Sequence, residues 1–212
     1  MLLSDIPTLY INLEHRKDRD ASIQQELAKV GLLNVERFNA IRKERGAIGC
    51  SLSHIRCLEL AIQRDYDYVL ICEDDLVVLN PQLFVENAHK FLNASMEWDV
   101  LLIAGNNMVP FNVVTDYCIR IYNCLTTTGY IVRKHYYATL LRNFKDGVVR
   151  LMREPDNNQY KIDKHWHLLQ KQDRWYMLIP PTIVQREDYS DIEQKVTNFT
   201  KYMLQFNKAI RP

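Results

Sequence analysis

Glycine and long apolar runs are scarce in this sequence. Its 212 residues include 6 glycines and 5 cysteines, and no run approaches the ~20 apolar residues that a membrane-spanning helix needs. The absence of any low-complexity tract excludes collagen-like and disordered chains. The cysteines are odd in number and contain no CxxC pair or zinc-type spacing, which favours free thiols in a reducing compartment.

An excess of charge of either sign is also lacking. The 27 Lys and Arg residues balance 26 Asp and Glu residues, for a net charge of +1 at pH 7. Proteins that bind nucleic acid usually carry a clear basic excess, so we expect no nucleic-acid partner. Residues 1–10 lack the cationic stretch and extended apolar core of a signal peptide. We therefore expect a cytoplasmic protein with no membrane span, for which peripheral membrane association stays open.

Short apolar runs alternate with amphipathic patterns, which predicts an α/β fold with a mixed, mostly parallel sheet flanked by helices. The predicted strands are residues 8–13, 35–41, 67–72 and 99–105, with further β-type runs at 118–125 and 129–132. The predicted helices are residues 21–30 and 51–64, one from residue 81 and one near residue 135. The polar, aromatic sequence after Arg150 is interpreted as part of the same domain, residues 1–212.

Three adjacent carboxylates, Glu73, Asp74 and Asp75, directly follow a near-continuous apolar run. Such runs are typical of strands buried on both faces of a sheet, and open α/β sheets bind ligands at the carboxyl ends of their strands. A buried acidic cluster needs a cation or firm hydrogen bonds, and oxygen ligands suit Mg²⁺ or Mn²⁺. The competing interpretation is a solvated acidic turn before Pro81. The apolar strand in front favours the site.

Other segments are ambiguous on residue types alone. Arg16 and Arg19 follow the first strand and could bind a phosphate, or simply pair with nearby carboxylates at a helix start. Two glycines before the second helix could let the backbone approach an anion, whereas His54 within it could equally be a satisfied core histidine. The segment 162–167, which contains Asp163, combines a carboxylate, two imidazoles and an indole, and by itself is interpreted as an amphipathic surface helix.

Taken in order, these motifs resemble glycosyltransferase family 25, which contains bacterial lipooligosaccharide galactosyltransferases and collagen hydroxylysine galactosyltransferases. The similar segments span nearly the whole chain, and their joint order carries the resemblance. They are residues 10–19 (YINLEHRKDR), 38–40 (FNA), 46–54 (GAIGCSLSH), 69–75 (VLICEDD), 128–132 (TGYIV), 162–163 (ID) with Trp166, and 181–192 (PTIVQREDYSDI).

The resemblance implies a GT-A fold, a UDP-sugar donor and a divalent cation, Mn²⁺ or Mg²⁺. It makes residues 73–75 a DxD-like motif in which Asp75 and Glu73 bind the metal, and Glu73 or Asp74 contacts the ribose or sugar. Residues 1–105 become the nucleotide-binding half of the domain and residues 106–212 the acceptor side. The other residues implied to bind the donor are Asn12, Leu13, Arg16, Arg19, Ala40 and His54.

The implied activity is that of a metal-dependent hexosyltransferase, as in lipopolysaccharide biosynthesis. It moves galactose or glucose from a UDP-sugar to a hydroxyl of a glycan, glycolipid or hydroxylysine-type acceptor, with inversion. A carboxylate base assists the attack, with Asp163 as first candidate and Asp191 as second. Because 212 residues is short for the family, the alternative is a catalytically incomplete GT-A-like domain that binds nucleotide sugar or a protein partner. A metal-dependent phosphohydrolase is a weaker alternative, since it needs more metal ligands than this triplet supplies.

Overall fold

An eight-stranded sheet with the order β2-β1-β3-β8-β5-β9-β7-β6 organises the computed structural model, which describes residues 1–190 and 195–209. The strands are β1 Thr8–Asn12, β2 Val35–Asn39, β3 Tyr68–Glu73, β4 Leu76–Val78, β5 Val100–Asn107, β6 Phe111–Val113, β7 Cys118–Ile121, β8 Cys124–Arg133, β9 Trp175–Leu178, β10 Ile183–Gln185, β11 Asp188–Ser190 and β12 Lys195–Thr197. In the large sheet only β7 and β8 run against the other strands. The predicted mixed, mostly parallel sheet is confirmed. Two smaller sheets pair β10 with β4 and β11 with β12.

Helices cover both faces of the large sheet. They are α1 Lys17–Lys29, α2 Gly46–Gln63, α3 Pro81–Leu92, α4 Tyr137–Arg153, α5 Ile162–His165, α6 His167–Gln172 and α7 Thr200–Leu204. Apolar side chains of α1 and α3 belong to one buried cluster, and those of α2 and α4 belong to the other. Within the described part of the chain, each helix is too short or too polar to span a bilayer.

Strand β3 lies between the two buried clusters, which explains its continuous apolar sequence. Successive side chains of a strand point to opposite faces of the sheet. Leu70 and Cys72 accordingly join the cluster of α1 and α3, while Val69 and Ile71 join that of α2 and α4. All four side chains have no exposed surface. The strand is therefore anchored on both faces up to the point where the acidic triplet, residues 73–75, begins.

Helix α2 begins at Gly46 and not near residue 51, so both glycines predicted to lie in a preceding loop are helical. The first turn of α2 packs against the backbone of the segment that precedes the helix. A Cβ atom at Gly49 would collide with the carbonyl oxygen of Ile41 and lie 3.3 Å from the backbone nitrogen of Lys43. Glycine is needed at this position because two backbone segments touch there.

The serines of α2 lie inside the helix and do not cap it. Ser51 Oγ donates to the carbonyl oxygen of Ala47 at 2.9 Å, and Ser53 Oγ donates to that of Gly49 at 2.8 Å. Ser53 Oγ also accepts from the backbone N–H of Ile41 at 2.9 Å. These bonds fasten the segment before the helix to its first two turns, beside the end of β1.

Helix α1 also begins earlier than predicted, at Lys17 and not near residue 21. Asp18 and Asp20 fall in its first turn, where negative charge interacts favourably with the exposed N–H groups of the helix. The charged residues from Lys17 onward are thus part of the helix, and Arg16 is its N-cap. This places Arg19 on the first turn of α1, next to the end of the strand.

Candidate functional site

The parallel strands β1 and β3 end side by side and bring their polar final residues together. Ile11 is in register with Glu73, and Asn12 is 1% exposed. The Nδ2 atom of Asn12 donates to Asp74 Oδ2 at 2.8 Å. Since open α/β sheets bind ligands at this edge, the acidic triplet marks the candidate site.

Asp74 is satisfied by groups of the protein itself. Arg19 Nη1 donates to Asp74 Oδ1 at 3.0 Å, while Asn12 holds the other oxygen. Burial raises the pKa of Asp74 above its ordinary value, although the charge of Arg19 and the two hydrogen bonds act to lower it. The structure therefore fixes this carboxylate between α1 and β1.

Asp75 has a carboxylate oxygen without a partner. Its Oδ2 accepts from Gln185 Nε2 at 2.7 Å and lies 3.9 Å from Arg19 Nη1. Its Oδ1 is buried and has no hydrogen-bond partner among residues 1–190 and 195–209. Burial, then the negative charges of Glu73 and Asp74, raise the pKa of Asp75 to about 7. A divalent cation would relieve both the unpaired oxygen and the repulsion.

The raised pKa of Asp75 predicts that ionisation destabilises the metal-free protein. In the unfolded chain this carboxyl ionises near a pH of about 3.9. The stability it contributes is therefore present at low pH and is lost as the pH rises toward about 7. We expect Asp75→Asn to raise the free energy of unfolding at pH 8 by about 2–4 kcal/mol, and by much less near pH 5. Urea unfolding in the presence of a chelator measures both values.

Asp67→Asn is the matched control for this stability prediction. Asp67 directly precedes β3, and its side chain is 81% exposed. The same substitution there should change the free energy of unfolding by less than about 0.5 kcal/mol at either pH. A stabilisation by Asp75→Asn that is equal at pH 5 and pH 8, or absent at pH 8, would contradict the raised pKa of Asp75.

Glu73 is held by three donors on a single oxygen. Its Oε1 accepts from Thr127 Oγ1 at 2.5 Å, and lies 3.1 Å from His54 Nε2 and 3.7 Å from Cys50 Sγ. Burial acts to raise the pKa of Glu73, but the hydrogen bonds from His54, Thr127 and Cys50 outweigh it, so the pKa is lowered. Glu73 is thus a half-buried, ionised carboxylate.

His54 connects Glu73 to the core of the fold. Its Nδ1 lies 2.8 Å from Tyr130 Oη, and burial raises the pKa of Tyr130 well above its ordinary value, so that hydroxyl keeps its proton. We assign the tautomer from this network: Nδ1 accepts from Tyr130, and Nε2–H donates to Glu73. His54 is therefore a buried histidine with both ring nitrogens hydrogen-bonded, and it also belongs to the candidate site.

The ends of β1 and β3 open into a cavity of about 520 Å³. Its wall contains most of the residues that the sequence singled out. Those are Leu13, Arg19, Ala40, His54, Glu73, Asp74 and Asp75. Gln185, Asp188 and Tyr189 line it from the C-terminal part of the chain. A cleft with a few convergent polar groups is the usual form of a small-molecule site.

A family model described as glycosyltransferase family 25 (LPS biosynthesis protein) matches residues 44–151, slightly more than half of the chain. The matched part includes α2, β3 and the acidic triplet. The chain belongs to glycosyltransferase family 25. This confirms the relationship and the enzyme class that the ordered motifs predicted.

Two solved structures show the same fold in other glycosyltransferases. One is a glycosyltransferase involved in the glycosylation of the major capsid of PBCV-1, with a TM-score of 0.55, 13% identity, and coverage of 89% of this chain and 96% of that chain. The other is the glycosyltransferase GlyE in Streptococcus pneumoniae TIGR4, with a TM-score of 0.51, 8% identity, and coverage of 84% and 53%. No curated protein matches the chain significantly in sequence. The predicted GT-A-type α/β fold is confirmed.

In this glycosyltransferase both predicted phosphate-binding arginines pair with carboxylates. Arg16 Nη2 donates to Asp18 at 2.9 Å and to Asp188 at 2.8 Å. Arg19 Nε donates to Asp188 at 2.9 Å, and its Nη1 to Asp74 at 3.0 Å. Asp188 begins β11, so these pairs fasten β11 to the N-terminal end of α1. Of the two alternatives that the sequence left open for these arginines, the structure has the ion pairs, and Arg19 contacts the triplet directly. Neither Arg16 nor Asn12 lines the cavity.

Asp163, the first candidate for the base of the transferase, lies on α5 behind the wall of the cavity. Its Oδ2 accepts from the backbone N–H of Thr126 at 3.2 Å, and the adjacent Thr127 hydroxyl binds Glu73. Thr126 has a φ of 72°, a left-handed conformation that threonine rarely adopts. Burial, opposed by this N–H and assisted by the charge of Glu73, raises the pKa of Asp163. Asp191, the second candidate, lies outside the described residues.

The site also contains residues that sequence reasoning did not select. Gln185 holds Asp75, Thr127 holds Glu73, and Asp188 holds both arginines. Each falls in or directly beside a segment that resembles the family, residues 128–132 or 181–192, and that position was the available signal. Spacing could not reveal their partners, because the paired residues are 54 to 172 positions apart.

Proposed function

We propose that this glycosyltransferase moves a hexose, galactose or glucose, from a UDP-sugar to a hydroxyl of a glycan, glycolipid or hydroxylysine-type acceptor, with inversion. The donor site depends on a divalent cation, Mn²⁺ or Mg²⁺. The observation that carries the proposal is the buried Oδ1 of Asp75, which has no partner in the described residues and lies in the wall of a cavity.

Asp75 and Glu73 are the proposed metal ligands. Asp75 contributes its unpaired oxygen, and Glu73 contributes a second ionised carboxylate. Oxygen ligands of this kind suit Mn²⁺ and Mg²⁺. When bound, the cation would neutralise charge that develops on the UDP leaving group. Gln185 fixes the orientation of Asp75 through its 2.7 Å hydrogen bond.

The other cavity residues divide into binding and positioning roles. Leu13 and Ala40 line the cavity near the end of β1, and we assign them to the uracil base. Arg19 supplies positive charge near the diphosphate while its own hydrogen bonds go to Asp74 and Asp188, and Arg16 acts through the same Asp188. Asn12 acts indirectly, since its amide holds Asp74, which contacts the ribose or sugar in this proposal.

His54 is a positioning residue in this proposal. Both of its ring nitrogens are engaged, one with Tyr130 and one with Glu73. It therefore has no free nitrogen for a sugar hydroxyl while that network is intact. Its contribution to donor binding is to keep Glu73 ionised and oriented.

Asp163 is the proposed base. An inverting transfer needs a carboxylate that takes the proton of the acceptor hydroxyl, and it needs no enzyme nucleophile. The raised pKa of Asp163 brings this carboxyl closer to the operating pH, which favours proton uptake. The acceptor then enters on the side of Thr126. Residues 106–212 supply this acceptor side of a single domain, although Gln185 and Asp188 join the donor cavity.

Isothermal titration with UDP tests the donor site. We expect binding that requires Mn²⁺ or Mg²⁺ and disappears in a chelator, because the acidic wall repels a diphosphate without a cation. A screen of UDP-sugars, followed by UDP release, should favour UDP-galactose or UDP-glucose. The proposal would be rejected by a lack of UDP binding or by binding that is indifferent to metal. Metal-dependent UDP binding without release from any donor would instead support the catalytically incomplete domain.

A further inference from the structure

Cys50, His54 and Glu73 form a cluster of three metal-ligating side chains beside the acidic triplet. One ligand atom from each residue lies within 4.8 Å of the other two. The Glu73 Oε1 atom is 3.1 Å from His54 Nε2 and 3.7 Å from Cys50 Sγ. These separations are close to those between neighbouring ligands of a tetrahedral ion with bonds of about 2.0–2.3 Å.

From this geometry, we propose that Cys50, His54 and Glu73 bind a borderline divalent cation such as Zn²⁺, at a site that shares Glu73 with the proposed Mn²⁺ site but does not use Asp75. The donor set is one cysteine sulfur, one imidazole and one carboxylate, a combination that Zn²⁺ accepts and that Mg²⁺ does not favour. Burial and the charge of Glu73 raise the pKa of the Cys50 thiol well above its ordinary value, so the ion has to displace the thiol proton when it binds. Asp75 offers a carboxylate oxygen alone, which suits hard cations. The two sites therefore differ in the metal that they select.

The fold presents these ligands in a fixed arrangement. Cys50 and His54 are four residues apart on α2, so their side chains lie on one face of the helix. Glu73 comes from the end of β3, which packs against that face. The helix and the strand are both anchored in the core, and a rigid ligand set needs little reorganisation to bind an ion.

The surroundings of the cluster also suit a metal. Metal-bound histidines usually hydrogen-bond through their second ring nitrogen. With Nε2 on the ion, the proton of His54 would move to Nδ1, which would then donate to Tyr130 Oη at 2.8 Å. Thr127 Oγ1 steadies Glu73 at 2.5 Å. All three ligands line the 520 Å³ cavity, which gives an ion a path of entry and leaves a fourth position for water. Zn²⁺ at this position would occupy part of the donor cavity and inhibit transfer.

Cobalt substitution tests the site without relying on activity. Co²⁺ bound by a thiolate gives an intense sulfur-to-metal charge-transfer absorption that oxygen and nitrogen ligands alone do not give. We expect this band when Co²⁺ is titrated into reduced, tag-free, metal-stripped protein, with one ion per chain, and its displacement by one equivalent of Zn²⁺. Cys50→Ser should remove the band and weaken Zn²⁺ binding by more than about 100-fold.

Cys57→Ala is the matched control, since Cys57 lies on the same helix but is fully buried, with no exposed surface. This variant should keep the cobalt band. Thermal unfolding of each variant confirms that it is folded. The absence of a band in the wild-type protein, or a band that persists in Cys50→Ser, would overturn the site.

Asp75→Asn separates this proposal from the proposed function. It should retain the cobalt band, because Cys50, His54 and Glu73 are all kept, while losing Mn²⁺-dependent UDP binding. If Asp75→Asn abolished the band, Asp75 would hold the same ion, and the proposal of a thiolate site that does not use Asp75 would be wrong.

Discussion

Asp75→Asn is expected to lower the kcat/KM of sugar transfer by about 1,000-fold or more. The substitution keeps the size of the side chain and an oxygen for Gln185, but it removes the negative charge that the proposed cation needs. Loss of one preorganised electrostatic contact at a reacting centre commonly lowers the rate by 10²–10³-fold, and loss of a metal ligand should have at least that effect. Initial rates of UDP release over a range of Mn²⁺ concentrations measure the change.

The same variant should be more stable than wild type without metal, so a loss of activity cannot be attributed to unfolding. Asp67→Asn, at the opposite end of the same strand, should keep activity within about 2-fold of wild type. Excess Mn²⁺ should recover little activity in Asp75→Asn, because the ligand itself is missing. Activity within 10-fold of wild type at saturating Mn²⁺ would show that Asp75 does not hold the cation.

Much of the fold was predictable because local patterns agree with it. The apolar run before Glu73 predicted a strand buried on both faces, and the side chains of Leu70 and Ile71 do face two separate clusters. Helix starts were harder to predict. Gly46 and Gly49 have low helix propensity, and only the contact between Gly49 and the chain at Ile41 explains why glycine occurs inside a helix there.

The location of the site was predictable from the sequence, but the hydrogen bonds and ion pairs within it were not. The acidic triplet after β3 and the charged residues after β1 were found because strand ends in α/β sheets gather ligands. Which carboxylate is satisfied and which is free depends on partners far along the chain. Arg19 reaches Asp74 and Asp188, and Gln185 reaches Asp75, across distances that no local pattern encodes.

The near-balance of charge likewise conceals an uneven distribution. All three nitrogens of the Arg19 guanidinium donate hydrogen bonds, to Asp188, Asp74 and the backbone oxygen of Tyr189. Its single positive charge faces the carboxylates of Asp74 and Asp75, and Asp75 keeps a raised pKa in its presence. Arg42, Lys43 and Arg186 also line the cavity, but the contacts of Asp75 are with Gln185 and Arg19. The unrelieved repulsion at the triplet is the electrostatic reason to expect a cation with the donor diphosphate.

Asp163→Asn is expected to lower kcat by about 10²–10⁴-fold while changing the KM for the UDP-sugar by less than about 3-fold. Asparagine can still accept the Thr126 N–H bond, so the loop should stay in place, but it cannot take a proton. UDP binding by titration should be unchanged, which distinguishes a base from a residue that merely supports the donor cavity. In the wild-type protein kcat should fall as the pH drops through the raised pKa of Asp163, because the base becomes protonated. The residual activity of the variant should not show this fall at low pH.

Asp156→Asn controls for the loss of a carboxylate near α5, because the Asp156 side chain is 93% exposed and its recorded ion pair is with Arg45 at the surface. It should leave kcat and the pH profile unchanged. If Asp163→Asn kept kcat within 5-fold of wild type, the proton would have to go to another carboxylate, and Asp191→Asn would be the next variant to measure. If it weakened UDP binding in parallel with kcat, Asp163 would act by holding Thr126 and, through Thr127, the orientation of Glu73. A base and a positioning residue thus give opposite results in the titration, since only the second alters the donor site before any acceptor is present.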